Sequence, residues 1–238
     1  MTQPLRFVLV ACLMLITTVQ GGGGGGTTVG YWWWSWQPSG SPPGGTNLGV
    51  AFSGYADPDL ALSNSQPLYD KLPGMKFLDI GGGDNAGKWT SSQLQKVTRY
   101  INESKFNAYQ GIAYDVEIGD AGLTGLFLDS FRAAKMHGFK VLVTVSGSAP
   151  YSVPDAPAMM SAFFNDGNVD YLSPQLYVTG DESKNNYGTN AGVSWDQWKQ
   201  SRASVVPSIV TASLYSSAVE YFQGHGVTLQ GWLQWKQG

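Results

Sequence analysis

Charge and sulfur are both scarce in this sequence. Only 13% of its 238 residues are charged, and they sum to a formal net charge of -3. Self-repulsion is therefore too weak to keep the chain unfolded. No run of Lys or Arg offers a surface to a phosphate backbone, which excludes nucleic acid as a partner. The two histidines, His137 and His225, are not spaced like metal ligands, so no metal is expected. Gly81-Gly82-Gly83 follows an apolar run but lacks the G-x-x-x-x-G-K pattern of a phosphate loop, and no cofactor is expected either. The single cysteine, Cys12, lies in an apolar stretch near the start, so a chain that loses that stretch has neither thiol nor disulfide.

Long apolar runs are also missing. The longest, Phe7 to Val19, follows Arg6 and stops at Gln20 before the glycines 21–26. A spanning helix needs about 20 apolar residues, and these lengths and flanks match a secretory leader instead. The expectation is a signal peptide over 1–20, a flexible linker over 21–27 and one domain over 28–238, exported and without a membrane span. Leu9-Val10-Ala11-Cys12 looks like a lipoprotein box, but the apolar stretch before Cys12 is short and continues past it.

What the sequence does have is apolar bulk, with 42% hydrophobic residues, 31 glycines and 9 tryptophans. That suits one globular domain with many tight turns and flat aromatic surfaces. Eight short strand-like runs follow the glycines: Thr28 to Trp34, Asn47 to Phe52, Met75 to Ile80, Gly111 to Val116, Lys140 to Val145, Tyr171 to Leu176, Ser208 to Thr211 and Leu229 to Leu233. Helical patterns alternate with them. Ser92 to Glu103 and Leu123 to Met136 have the clearest apolar faces, and weaker ones fall at Asp59 to Lys71, Ala156 to Phe164, Trp195 to Ser201 and Ser216 to Gln223. The alternation predicts an α/β fold, a closed (β/α)8 TIM barrel whose first helix is short or missing, because Pro38 to Gly45 breaks any helical pattern.

In such barrels chemistry gathers at the carboxyl ends of the strands. The fourth run, Gly111 to Glu117, alternates so that Ala113, Asp115 and Glu117 point inward, with two carboxylates one pleat apart. Like charges buried so close raise the proton affinity of one, which makes a general acid near neutral pH. Strand-end acids that only meet water or cap a helix are the plainer alternative.

The same segment resembles the family 18 glycoside hydrolases, whose fourth strand carries D-x-x-D-x-D-x-E; here those positions read Gln110, Ala113, Asp115 and Glu117. Leu78-Asp79-Ile80-Gly81-Gly82 is similar to the family's S-x-G-G, with Asp79 in place of serine, and Val29-Gly30-Tyr31 to its opening G-Y. Gln175-Leu176-Tyr177 resembles its sixth strand, and Gly231 to Trp235 its closing G-x-x-x-W. The matches run in order along the whole expected domain.

The resemblance implies a retaining hydrolase of β-1,4-linked N-acetylglucosamine polymers, monomeric and endo-acting, or of the related core linkage in N-glycans. Glu117 would be the proton donor. Asp115 would hold the substrate's acetamide, whose own carbonyl attacks the sugar. Tyr177 would bind that acetamide and Trp235 would floor the reacting sugar, with Tyr31, Gln175 and Gly82 also at substrate. Asp79 is expected to act catalytically, as a carboxylate moved from the position of Ala113 on strand four to strand three, or else to tie down the glycines beside it. Trp89, Trp195 and Trp198 are possible further stacking platforms, and part of Trp32-Trp33-Trp34 is expected in the core. A non-catalytic chitinase-like lectin is the alternative, since two of the four acidic positions differ.

Overall fold

The structure, a computed structural model, describes residues 27–37 and 39–238. The expected leader, Cys12 and the glycines 21–26 lie outside the described residues.

Among the described residues nine strands form a single parallel sheet: β1 (Thr28–Trp34), β2 (Leu48–Phe52), β3 (Met75–Gly81), β4 (Gly111–Val116), β5 (Lys140–Ser146), β6 (Tyr171–Gln175), β7 (Ser204–Val205), β8 (Ser208–Ile209) and β9 (Gly231–Gln234). β1 pairs with both β2 and β9, and β5 with β6, so the sheet closes on itself. β7 and β8 both pair with β6 and are two pieces of one barrel stave. Pro207 stands between them and has no N–H to give the ladder, which shortens and moves the run expected at Ser208 to Thr211. Eight staves therefore make a (β/α)8 TIM barrel.

The helices are α1 (Pro58–Ser65), α2 (Ser91–Asn102), α3 (Thr124–Met136), α4 (Ala156–Asn165) and α5 (Tyr215–Gly224). The Thr90 side chain accepts the Gln93 N–H and starts α2, which buries Leu94, Val97 and Ile101 as its periodicity predicts. Asp57 caps α1 in the same way. The helix expected over Asp59 to Lys71 instead divides at Pro67, whose ring and missing N–H break the α pattern, and Gln66–Lys71 continues as a 3-10 turn. Trp195–Gln200 is likewise 3-10 rather than α-helical. Among the described residues no helix lies between β1 and β2.

Alternation along the strands makes two cores. Trp32, Leu48, Val50, Phe77, Ala113, Leu142, Val206 and Leu233 fill the barrel. Tyr31, Trp33, Ile80, Tyr114 and Val143 face outward and belong to the larger core that the helices cover. Each large buried side chain contributes roughly 1.5–3 kcal/mol, so the barrel stands without sulfur chemistry. Its interior also holds polar groups: Asp79, Asp115, Thr144, Ser173, Gln175 and Ser208 are all buried. Trp32 Nε1 donates to Ser208 Oγ at 2.8 Å, and Ser208 meets Ser173 at 2.9 Å. The apolar plug thus gives way to a hydrogen-bonded layer beneath the barrel mouth.

Candidate active site

At the carboxyl end of β4 the strand is clamped from both sides. Trp89 Nε1 donates to the Asp115 carbonyl at 2.7 Å, the Ser152 N–H to the Glu117 carbonyl at 3.0 Å, and the Trp89 N–H to the Ile118 carbonyl at 2.9 Å. Gly81 touches the same segment; its φ of +108° and its closeness to the Asp115 carbonyl leave no room for a Cβ. These contacts fix where the next two carboxyl groups point.

Asp115 is buried and Glu117 only partly so. The two side chains are hydrogen-bonded to each other, and Gln175, across β5 on β6, reaches both. Gln175 Nε2 donates to Asp115 Oδ1 at 3.1 Å. Among the described residues no Lys, Arg or His lines the surrounding cavity. Burial therefore raises the proton affinity of both acids. Asp115 stands well above the usual aspartate range, through burial first and then the charges of Glu117 and Asp79. Glu117 is raised by burial and by Asp84, although its bonds to Gln175 and Asp115 oppose the shift. A carboxyl that holds its proton more tightly than usual beside a hydrogen-bonded neighbour is equipped to donate it.

Asp79 lies deeper. It is completely buried, neither carboxyl oxygen has a hydrogen-bond partner, and burial followed by the charge of Glu117 holds its pKa far above normal. It is thus a neutral acid in the barrel interior, paired in strand register with Ala113.

Above these acids opens a cavity of about 820 Å3, within the range of small-ligand sites. Trp36, Phe52, Tyr151, Tyr177 and Trp235 supply its aromatic wall. Trp235 stacks on Tyr177 at 5.5 Å between ring centroids and lies 4.9 Å from Trp34 and 5.1 Å from Phe52. Burial and the charges of Asp115 and Glu117 keep the Tyr177 hydroxyl protonated, a neutral donor. The loop that follows Tyr177 is held by Glu182, which accepts the N–H groups of Val178, Thr179 and Gly180 at 2.6–2.8 Å. Those bonds pull its pKa down to about 2.

Glu117, Asp115, Gln175, Tyr177 and Trp235 all line this one cavity, while Asp79 sits below it. Two expected substrate residues lie elsewhere. Tyr31 is on the outward face of β1, fully buried, and its hydroxyl donates to Gln237 Oε1 at 3.2 Å; the pleat that sends Trp32 inward sends Tyr31 outward. Gly82 packs against the Gly54 backbone, and its neighbour Gly83 reaches the cavity, where a Cβ would come 3.0 Å from Glu117 Oε1. Trp89, Trp195 and Trp198 are no platforms: all three are buried against helices and loops. Gly83, Asp84, Tyr151 and Asn190 also line the cavity and were not legible beforehand. They sit in loops without a motif or period, and only closure of the barrel brings them together.

No protein-family model and no curated protein matches this chain. Among solved structures it is similar to the Bacillus megaterium QM B1551 spore cortex-lytic enzyme SleL, at 9% identity with a TM-score of 0.42, over 77% of this chain and 50% of that one. The chain thus spans about half the length of that protein.

Proposed function

We propose that this protein is a secreted retaining glycoside hydrolase that cleaves β-1,4-linked N-acetylglucosamine polymers, with Glu117 as the acid. The observation that carries the reading is the hydrogen-bonded set Asp115–Glu117–Gln175 under an aromatic wall of Tyr177 and Trp235. Carboxyls with raised proton affinity supply the chemistry, and flat rings supply a surface for the C–H faces of a sugar.

In this reading the Glu117 proton passes to the glycosidic oxygen as the bond from that oxygen to C1 breaks. The carbonyl oxygen of the substrate's 2-acetamido group forms the new bond to C1, giving an oxazolinium ion. Asp115 accepts the acetamide N–H and balances the developing positive charge, and the Tyr177 hydroxyl donates to the acetamide oxygen. Water then attacks C1 and breaks its bond to the acetamide oxygen while Glu117, now ionised, takes the water's proton, and the configuration at C1 is retained. Asp79 supplies the deeper acid that Ala113 cannot. Export rests on the leader-like residues 7–19; no described helix is long and apolar enough to cross a membrane.

The test is product release from chito-oligosaccharides by the purified chain beside Glu117→Gln, with binding to insoluble chitin measured on both. Loss of a general acid costs about 10²–10⁴-fold in rate, so cleavage should fall by that factor while binding persists. Binding without cleavage by the unaltered chain would make it a lectin. Absence of both binding and cleavage would sink the reading.

A further inference from the structure

The loops after β3, β4 and β5 are knitted into a wall above the barrel. Trp89 bridges to Gly119 and Ile118 to Ser152 in parallel fashion, beyond the last strand residues. Tyr151 crosses this wall. Its N–H donates to Ser146 Oγ at 3.0 Å at the end of β5, and its hydroxyl donates to the Gly83 carbonyl at 2.7 Å, beyond the end of β3. The side chain therefore spans the sector of the rim where β4 presents Glu117, and a Cβ added to Gly83 would come 3.0 Å from Glu117 Oε1. Tyr151 is nonetheless 52% exposed and lines the cavity.

An aromatic ring tethered at both ends but left open to water has little freedom to lose when a flat ligand covers it. Its place identifies the ligand, on the reading of Glu117 given above. Trp235 continues β9, the stave opposite β4 in the closed sheet, and with Tyr177 it takes the sugar whose C1 reacts. The glycosidic oxygen must then meet Glu117, and the sugar beyond that oxygen lies toward the wall of Gly83 and Tyr151. We propose that Tyr151 is the platform for the leaving-group sugar, so that the protein selects substrates carrying at least one sugar beyond the cleaved linkage.

The experiment compares two substrates on the full chain: chitotetraose, whose leaving group is a sugar, and methyl β-chitobioside, whose leaving group is methanol and needs the same proton from Glu117. In Tyr151→Ala the ratio of kcat/KM for the tetramer to that for the methyl glycoside should fall about 10-fold, the scale of one lost aromatic contact. Tyr151→Phe keeps the ring and loses only its bond to Gly83, and should retain most of that ratio. An equal fall on both substrates in Tyr151→Ala would mean that Tyr151 acts by positioning Glu117, and would overturn the platform. An unchanged ratio with full turnover would overturn it too, leaving the hydrolase reading intact. An unaltered chain that turns over neither substrate overturns the hydrolase reading and this inference with it.

Discussion

Asp79 on β3 is the direct register partner of Ala113 on β4, so a carboxyl group stands in the barrel where the neighbouring strand has only a methyl. Both point into the interior, one pleat below Gly81 and Asp115, which are themselves register partners. A carboxylate missing from one strand is thus present on the next at the same level, in electrostatic reach of Asp115.

That placement makes stability depend on pH. The pKa of Asp79 is raised on folding, so its proton is held more tightly in the folded chain. Stability is then highest below the ordinary aspartate value of about 3.9 and is lost as pH rises from there toward the folded pKa. Asp79→Asn removes the titration. Its melting temperature should gain on that of the unaltered chain as pH rises from 4 to 9; parallel curves across that range would refute a neutral Asp79.

Asp84 raises the proton affinity of Glu117 through its charge while its Oδ1 accepts the Ala86 and Gly87 N–H groups at 2.9 and 3.0 Å. Asp84→Asn keeps an oxygen for those bonds and removes the charge. The pKa of Glu117 should fall, so kcat/KM should begin its alkaline decline at lower pH with the folded structure undisturbed. A pH–rate profile that does not move would exclude Asp84 as a neighbour of the acid.

Gly81→Ala tests the clamp on β4. The added methyl would collide with the Asp115 carbonyl at a φ of +108°, so the strand must shift. A loss of about 2 kcal/mol or more in denaturant unfolding is expected, together with loss of cleavage. Gly122→Ala, at a φ of +77° but in open space, is the control and should cost about 1 kcal/mol with cleavage kept.

Glu182 shows the opposite pH behaviour. Its pKa is lowered to about 2, so its contribution is present above its ordinary value of about 4.3 and is lost as pH falls toward 2. Glu182→Gln should destabilise by about 1 kcal/mol at pH 7, a figure discounted for its partial exposure. The difference in melting temperature from the unaltered chain should shrink at pH 3. A gap that stays constant with pH would show that the three backbone N–H groups do not depend on the charge.

The barrel and part of its site were legible in the order of residues because they rest on local periods. Alternation placed Asp115 and Glu117 on the inner face of β4, and the apolar stripe of Ser92 to Glu103 marked α2, since pleat and helix turn are properties of short segments. Alternation from Thr28 onward also separated Trp33 from Trp32 and Trp34. The same rule, applied to Tyr31, already sends it away from the mouth; only a motif match had put it at substrate.

Tertiary structure alone decided the rest. Whether Trp89, Trp195 and Trp198 stack on sugar or on helices depends on what covers them, which no local pattern encodes. Pro67 and Pro207 broke elements whose apolar pattern runs on, because one missing N–H outweighs a weak period. Gly83 and Tyr151 meet beside Glu117 although 68 positions separate them. Their contact exists because eight staves close into a ring, and closure is a property of the whole chain. Local alternation set which residues face inward; closure of the ring set which of them touch.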